Sequence, residues 1–192
     1  MPDFLKDLLL ESALSSYCQN VNNYILQSNK NEHVVDIEGL GMSYFVTDKI
    51  GQEEDANKKY FEVINKSEKD FALLQIDNAI IKTNATQKCD CAIVDESNLC
   101  FIEFKANATS IKPNKVKKNY CKAMKQLGTT ISIFKSSISS QGKDLKRLRK
   151  LEAYVCFRHG YPRKTSSEMN YQLDFAKNNN GCPLYFEPRK VL

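Results

Sequence analysis

The chain has no tryptophan and only two histidines, seven glycines and five prolines among 192 residues. So little glycine and proline excludes a collagen-like chain and disfavours a disordered one. The shortage of histidine disfavours mechanisms that use a histidine base, including the serine–histidine–aspartate triads. No apolar run approaches the ~20 residues that a membrane span needs. The first residues carry an acid, Asp3, in place of the basic start of a signal peptide. We therefore expect a cytoplasmic protein with no membrane partner.

Seven cysteines are an odd number, and the chain has no evident export signal. In a reducing compartment such cysteines are most simply free thiols. Five of them are scattered, and two histidines cannot complete a four-ligand zinc site at short spacing. The sequence therefore predicts neither disulfides nor structural zinc.

Positive charge is concentrated in one segment of the chain. Residues 112–150 hold 12 basic residues and one acidic residue, although the whole chain has a net charge of only +5. A basic segment of this kind favours a polyanionic partner. A solvated helix face would have the same composition, so both interpretations stay open at this point.

The pattern of apolar residues predicts an α/β protein, because helices and strands are mixed along the chain. A long helix at 114–138 between two strands is typical of the crossover in a mixed sheet. Helices are predicted at 3–27, 114–138 and 166–177. Strands are predicted at 34–38, 43–47, 60–65, 71–81, 88–95, 99–105, 151–158 and 183–187.

Three ionisable residues interrupt apolar strands. Asp90 opens one strand, and Glu103 and Lys105 lie in the next, within the sequence CFIEFKA. Burial of such charges is costly unless they pair or bind a metal. Glu103 and Lys105 share a strand face with Phe101, and a tight hairpin brings Asp90 beside them. A hard divalent cation would relieve the repulsion between the carboxylates, and the adjacent lysine could activate a water molecule.

The segment KCDCAIVDESNLCFIEFKA, residues 88–106, resembles the motif of the PD-(D/E)xK nuclease superfamily. In this resemblance Asp90, Glu103 and Lys105 match the motif's aspartate, acidic residue and lysine. The proline that precedes the motif's aspartate is replaced here by Cys89. The resemblance implies a restriction-endonuclease-like fold, with a mixed central sheet flanked by helices in the order α-β-β-β-α-β.

The resemblance also implies how the chain is divided. We expect a single nuclease-like domain over residues 1–192, with the core at about 3–158. An inserted β-hairpin region would occupy about 34–65, and a short C-terminal extension about 160–192.

The resemblance to this superfamily implies two further site residues. Family members place an acidic residue on the first core helix, and Glu11 is the candidate here. Gln126, in KAMKQLGTT, resembles a helix glutamine found in some branches. Those branches have a tyrosine four residues later, where this chain has Thr130.

The activity implied is metal-dependent hydrolysis of phosphodiester bonds. Asp90, Glu103 and the backbone carbonyl of Phe104 would hold Mg²⁺ or Mn²⁺, and Lys105 would orient water. We favour DNA over RNA as the substrate and endonuclease over exonuclease action. The expected setting is bacterial antiviral defence or DNA processing. A protein partner or a homo-oligomer would direct the enzyme to its target. The residues expected to bind nucleic acid are Lys115, Lys118, Lys122 and Lys125.

Other interpretations remain open at this stage. The chain could be an inactive subunit that keeps the nuclease fold and binds nucleic acid or assembles a complex. The three charged residues could instead form a structural ion pair. Asp77 could be another ligand or a turn residue at a strand end, and Lys88 a phosphate contact or a surface residue. Asp36 alternates with apolar residues, which favours an exposed strand face over a second metal site.

Overall fold

The computed structural model of the chain describes residues 2–37, 41–46, 60–105, 108–157, 161 and 165–192. These residues form two mixed sheets and several helices, which confirms the α/β class. The helices are α1 (Leu10–Ala13), α2 (Pro113–Ser139), α3 (Leu145–Leu148) and α4 (Thr165–Asn178). The strands are β1 (Ile25–Ser28), β2 (Glu32–Ile37), β3 (Met42–Val46), β4 (Tyr60–Ile64), β5 (Phe71–Gln75), β6 (Cys91–Val94), β7 (Asn98–Lys105), β8 (Lys150–Phe157), β9 (Leu184–Tyr185) and β10 (Arg189–Val191).

The larger sheet has six strands in the order β1-β5-β6-β7-β8-β9. Strands β1, β5, β6 and β7 pair antiparallel, whereas β7 pairs parallel with β8 and β8 with β9. A parallel pair needs a crossover connection, and the long helix α2 lies between β7 and β8 in the chain. The predicted arrangement of hairpin, crossover helix and returning strand is confirmed.

Strand β7 is buried on both faces, and its side chains alternate between two cores. Phe101 packs edge-on against Phe134 of α2, with ring centroids 5.3 Å apart. Ile102 and Phe104 belong to the core on the opposite face, together with Phe61 of β4. The period-2 alternation therefore directs Phe101, Glu103 and Lys105 toward α2.

The smaller sheet covers the opposite face of β7, in the order β10-β4-β2-β3. The predicted hairpin is confirmed as the antiparallel pair β2–β3, in which Val35 lies opposite Tyr44. Strand β10, which pairs parallel with β4, was not predicted, because a polar three-residue strand has no periodic pattern. The expected elaboration at 34–65 and extension at 160–192 are described in part: residues 38–40, 47–59, 160 and 162–164 lie outside the described residues.

The predicted helix at 3–27 is wrong. The chain instead forms a 3₁₀ turn at Asp3–Leu8, the short helix α1, a second 3₁₀ turn at Val21–Tyr24 and strand β1. Leu9 takes a left-handed conformation (φ +51°), which ends the first turn. The serines and asparagines beyond α1 favour turns, because their side chains compete for backbone hydrogen bonds. The apolar residues are nevertheless buried, since tertiary packing does not require a continuous helix.

Most of the remaining boundaries agree closely with the sequence pattern. The strand predicted at 88–95 is shorter, at Cys91–Val94, so Asp90 lies just before it, and helix α3 was not predicted. Helix 166–177 corresponds to α4, and 183–187 contains β9. The predicted strand at 71–81 ends at Gln75, because the following residues turn beside Asp90. All seven cysteines are free. Within the described ranges, none of the helices has both the length and the apolar composition to cross a bilayer.

Glu152, a buried carboxylate on β8, connects the two sheets. Lys190 of β10 donates to it at 2.8 Å, and the Tyr154 hydroxyl donates at 2.7 Å. Lys150 forms an ion pair with it at 2.9 Å. Burial alone would raise the pKa of Glu152, but the bonds from Lys190, Lys150 and Tyr154 outweigh burial and lower the pKa to about 2.

We predict that Glu152→Gln lowers the free energy of unfolding at pH 7 by about 3 kcal/mol, at about 1.4 kcal/mol per pKa unit. The folded pKa lies below the usual carboxyl value of 4.5, so this stability is complete above pH 4.5 and is lost as the pH falls toward 2. Urea unfolding of both proteins between pH 7 and pH 2 measures the difference. The exposed Glu187 provides the control Glu187→Gln, and a difference that does not change with pH would contradict the prediction.

Candidate active site

Asp90 and Glu103 lie on adjacent chain segments at one end of the large sheet. Asp90 immediately precedes β6, and its N–H donates to the Ile102 carbonyl at 3.2 Å. The Asp90 carboxylate accepts a hydrogen bond from the Phe104 N–H at 2.6 Å. The β6–β7 hairpin therefore fixes Asp90 against the segment that carries Glu103 and Lys105.

Lys105 connects Glu103 to helix α2. Its ammonium donates to the Oε1 atom of Glu103 and, at 2.7 Å, to Oε1 of Gln126. The Glu103 side chain is 2% exposed. Its second oxygen, Oε2, is buried and has no hydrogen-bond partner among the described residues. A buried carboxylate oxygen without a donor is costly, and a cation would satisfy it.

The two carboxylates affect each other electrostatically. Burial raises the pKa of Asp90 well above its usual value, and the charges of Glu103 and Asp36 raise it further. Burial also raises the pKa of Glu103, which reaches about 7 although Lys105 opposes the shift. Repulsion between neighbouring carboxylates and the desolvation of each both disfavour the charged form, so both raise the pKa. The free energy of the pair would therefore fall if a positive ion bound to it.

Helix α2 fixes the segment that leads into Asp90. The Gln126 amide donates to the Lys88 carbonyl at 2.9 Å, and the Cys89 N–H donates to the Thr130 hydroxyl at 2.8 Å. Gln126 and Thr130 are one helical turn apart and face the same segment. The structure thus brings Gln126 to the site. Thr130, considered from the sequence only as a departure from the family pattern, supports the same segment. The sequence analysis missed this role, and no pattern in the sequence pointed to it.

Two further acidic residues adjoin the pair. The Asp77 N–H donates to the Asp90 carbonyl at 3.1 Å, and the Asp77 carboxylate forms an ion pair with Lys88 at 3.0 Å. Lys88 is buried, not at the surface. Asp36, on β2 of the smaller sheet, is exposed, and its charge adds to the raised pKa of Asp90.

Glu11 lies on α1, where it is exposed. Its carboxylate accepts a hydrogen bond from Asn22 in the second 3₁₀ turn. Its role at the Asp90–Glu103 pair stays a prediction.

The four predicted nucleic-acid-binding lysines are all exposed on α2. At 3.6 residues per turn, their spacing places them on one face of the helix. The charge of Lys122 lowers the pKa of Glu103, an effect smaller than those of burial and Lys105, so this lysine lies near the site. The basic face comprises Lys115, Lys118, Lys122 and Lys125.

The donor set fits a hard divalent cation that keeps part of its water shell. Within the described residues, no three carboxylate, imidazole or thiol side chains converge as metal ligands. Mg²⁺ is commonly held by one or two carboxylates, with water and substrate phosphate completing its shell. Asp90 and Glu103 supply two carboxylates. The buried Oε2 atom of Glu103 has no hydrogen-bond partner among the described residues, so it is available to a cation.

No protein-family model, curated protein or solved structure matches this chain in the comparisons made.

We predict that Asp90→Asn raises the thermal stability of the protein in the absence of divalent cations at pH 7.5. The asparagine oxygen still accepts from Phe104, but the repulsion with Glu103 is removed. Because burial and the charge of Glu103 raise the folded pKa of Asp90, the stabilisation should be present at pH 7.5 and shrink near pH 4, where the carboxyls of the unfolded chain bind protons. Calorimetry in EDTA measures it, with the exposed Asp70→Asn as control; an Asp90→Asn protein less stable than the parent at pH 7.5 would contradict the prediction.

Proposed function

We propose that this protein is a metal-dependent nuclease with a restriction-endonuclease-like core, and that DNA is its substrate. The observation that carries the proposal is the position of Asp90, Glu103 and Lys105 at one strand end. The Asp90 carboxylate accepts from the Phe104 N–H, and Lys105 contacts Glu103, one oxygen of which is buried without a donor among the described residues. The class of reaction is the hydrolysis of phosphodiester bonds.

The order of elements supports the proposed core. Helix α1 is followed by the antiparallel strands β5, β6 and β7, then by α2 and the parallel strand β8. Strand β1 also precedes β5 in the chain and pairs with it antiparallel at the edge of the larger sheet. Apart from this additional strand and the short helix α3, the order is the α-β-β-β-α-β that the motif implies. Strands β2 to β4 are inserted between α1 and β5 and belong to the smaller sheet.

Each residue of the site has a defined task in this proposal. Asp90, Glu103 and the Phe104 carbonyl would hold Mg²⁺ or Mn²⁺, which would stabilise negative charge on the phosphate and the leaving oxygen. Lys105 orients and helps deprotonate the attacking water. Gln126 accepts a hydrogen bond from the Lys105 ammonium and thereby fixes its direction.

The charge distribution favours a polyanionic substrate. The exposed lysines of α2 follow one helix face and approach the site at Lys122. Lysines neutralise phosphates without reading sequence. We therefore expect recognition of the backbone, with a protein partner or a second copy of the chain directing the enzyme to its target.

We predict that Lys105→Met reduces cleavage of plasmid DNA in Mg²⁺ or Mn²⁺ at least 100-fold, because proton transfer by a positioned side chain contributes 10²–10⁴-fold. DNA binding, measured by fluorescence anisotropy in Ca²⁺, should change little, since one of 28 basic residues is removed. Lys177→Met, at an exposed position on α4, is the control. Parallel assays on single- and double-stranded DNA and RNA define the substrate.

The outcome separates the proposal from the alternative of an inactive subunit. Cleavage by the parent protein that Lys105→Met and Asp90→Asn both lose supports a nuclease. A parent protein that binds DNA but cleaves none of the four substrates in either metal would favour the inactive subunit. In that case, the Glu103–Lys105 contact would be a structural ion pair.

We also predict that replacing the four lysines of the basic face with glutamine flattens the salt dependence of DNA binding. With about 0.9 counterion released per duplex phosphate contact, the log–log slope should fall by about 3.6 if all four make contact. A control protein carries four other exposed lysines changed to glutamine, which matches the change in net charge: Lys6, Lys66, Lys69 and Lys177. Equal slopes in the two variants would mean that DNA approaches the site from another side.

A further inference from the structure

A third carboxylate, Asp77, adjoins the Asp90–Glu103 pair on the segment that follows β5. Its N–H donates to the Asp90 carbonyl at 3.1 Å, so the two residues are neighbours across the end of the sheet. The Asp77 side chain is 32% exposed whereas Glu103 is buried, so Asp77 lies nearer the solvent than Glu103.

Lys88 fixes the direction of the Asp77 side chain. The Lys88 ammonium lies 3.0 Å from Asp77 Oδ1 and donates to the Thr83 carbonyl at 2.8 Å. The lysine side chain is only 6% exposed, and its own carbonyl is held by Gln126 at 2.9 Å. Both ends of Lys88 are therefore anchored. A carboxylate paired with an anchored ammonium keeps one orientation, as the groups that support a metal site must.

The buried Oε2 atom of Glu103, with no hydrogen-bond partner in the described part of the chain, points independently to a positive ligand here. The same part of the chain contains no convergence of three ligand side chains, so Asp77 does not complete a three-carboxylate shell. Mg²⁺ retains several water molecules when protein groups bind it. A carboxylate at the edge of such a site accepts hydrogen bonds from those waters.

We propose that Asp77, held by Lys88, is the outer-sphere carboxylate of the cation site, where it accepts a hydrogen bond from a water molecule on a hard divalent cation bound by Asp90 and Glu103. This inference rests on the cation site of the proposed function. Asp77 and Lys88 are positioning residues, because Asp77 acts through the bound water and Lys88 acts through Asp77.

The test is calorimetric titration of the protein with Mn²⁺ in the absence of nucleic acid. Asp77→Asn keeps the shape of the side chain but removes its charge, and we expect Mn²⁺ to bind 10- to 100-fold more weakly. Lys88→Met should weaken binding as well. The double variant should bind no more weakly than Asp77→Asn alone, since Lys88 acts through the same carboxylate.

Matched controls separate this role from a general effect of charge or folding. Asp70→Asn and Lys69→Met make the same chemical changes at exposed residues next to the start of β5, and they should leave Mn²⁺ affinity unchanged. Thermal unfolding in EDTA establishes that each variant is folded. Lys88→Arg, which keeps the positive charge, provides a second variant if Lys88→Met does not fold, and it should retain most of the affinity.

The outcomes distinguish the inference from the proposed function. If Asp90→Asn abolishes Mn²⁺ binding and folded Asp77→Asn binds as tightly as the parent, the inference is wrong and the cation site stands. If Asp70→Asn weakens binding as much as Asp77→Asn, the effect is general electrostatics and the inference is wrong. If the parent protein binds no Mn²⁺, both the inference and the proposed cation site fail.

Discussion

The structure of the site depends on one constraint: two carboxylates must lie side by side at the end of a buried sheet. The backbone of Asp90 donates to Ile102 and accepts from Ile76 and Asp77, so the residue cannot move away from the neighbouring strands. Glu103 lies within β7, between two strands that pair with it. Repulsion between the two charges is therefore built into the strand pairing, and the sheet keeps the carboxylates close in spite of it. Hydrogen bonds from helix α2 to the segment before Asp90 help to hold this arrangement in place.

Helix α2 packs on the larger sheet with one face and presents polar and charged side chains on the others. Its core face carries Phe134, which packs on β7, and a neighbouring face presents Gln126 and Thr130 to the segment before Asp90. A third face is lined with exposed lysines. Because a helix is rigid over this length, the packing of its apolar residues sets the positions of the polar contacts and of the positive charge together. The basic face thus has a fixed relation to Lys105 through the Gln126 contact.

The sequence predicted those parts of the molecule in which a strong local pattern coincides with the final packing. Helix α2 has one regular apolar face, and strands β7 and β8 are long and almost entirely buried, so their apolar patterns were decisive. The leucine-rich start of the chain shows the limit of this reasoning. Its apolar residues are buried as the pattern required, but the positive φ of Leu9 separates a 3₁₀ turn from the short helix α1, so no continuous helix forms. Local periodicity reports burial more directly than it reports backbone conformation.

The parts of the site that the sequence did not reveal depend on contacts between distant segments. The roles of Thr130 and Lys88 follow from hydrogen bonds and ion pairs formed after folding, and no spacing in the chain encodes them. The pair Asp77–Lys88 illustrates this, because the loop that separates the two residues hides their contact in the linear sequence. The charges of Asp90 and Glu103, by contrast, were evident because they interrupted apolar strands. A charge within an apolar strand is visible locally, but the partner that supports it is not.

The smaller sheet also contributes to the packing and the charge of the site. The apolar underside of β7, which includes Ile102 and Phe104, must be covered, and strands of this sheet cover it. The sheet is also attached near the carboxylates, since the Gln75 amide donates to the Ser43 carbonyl at 2.8 Å. Asp36 on β2 adds negative charge beside Asp90. The sheet that packs against this face of β7 therefore also adds negative charge at its end, so the raised pKa of Asp90 depends on both sheets.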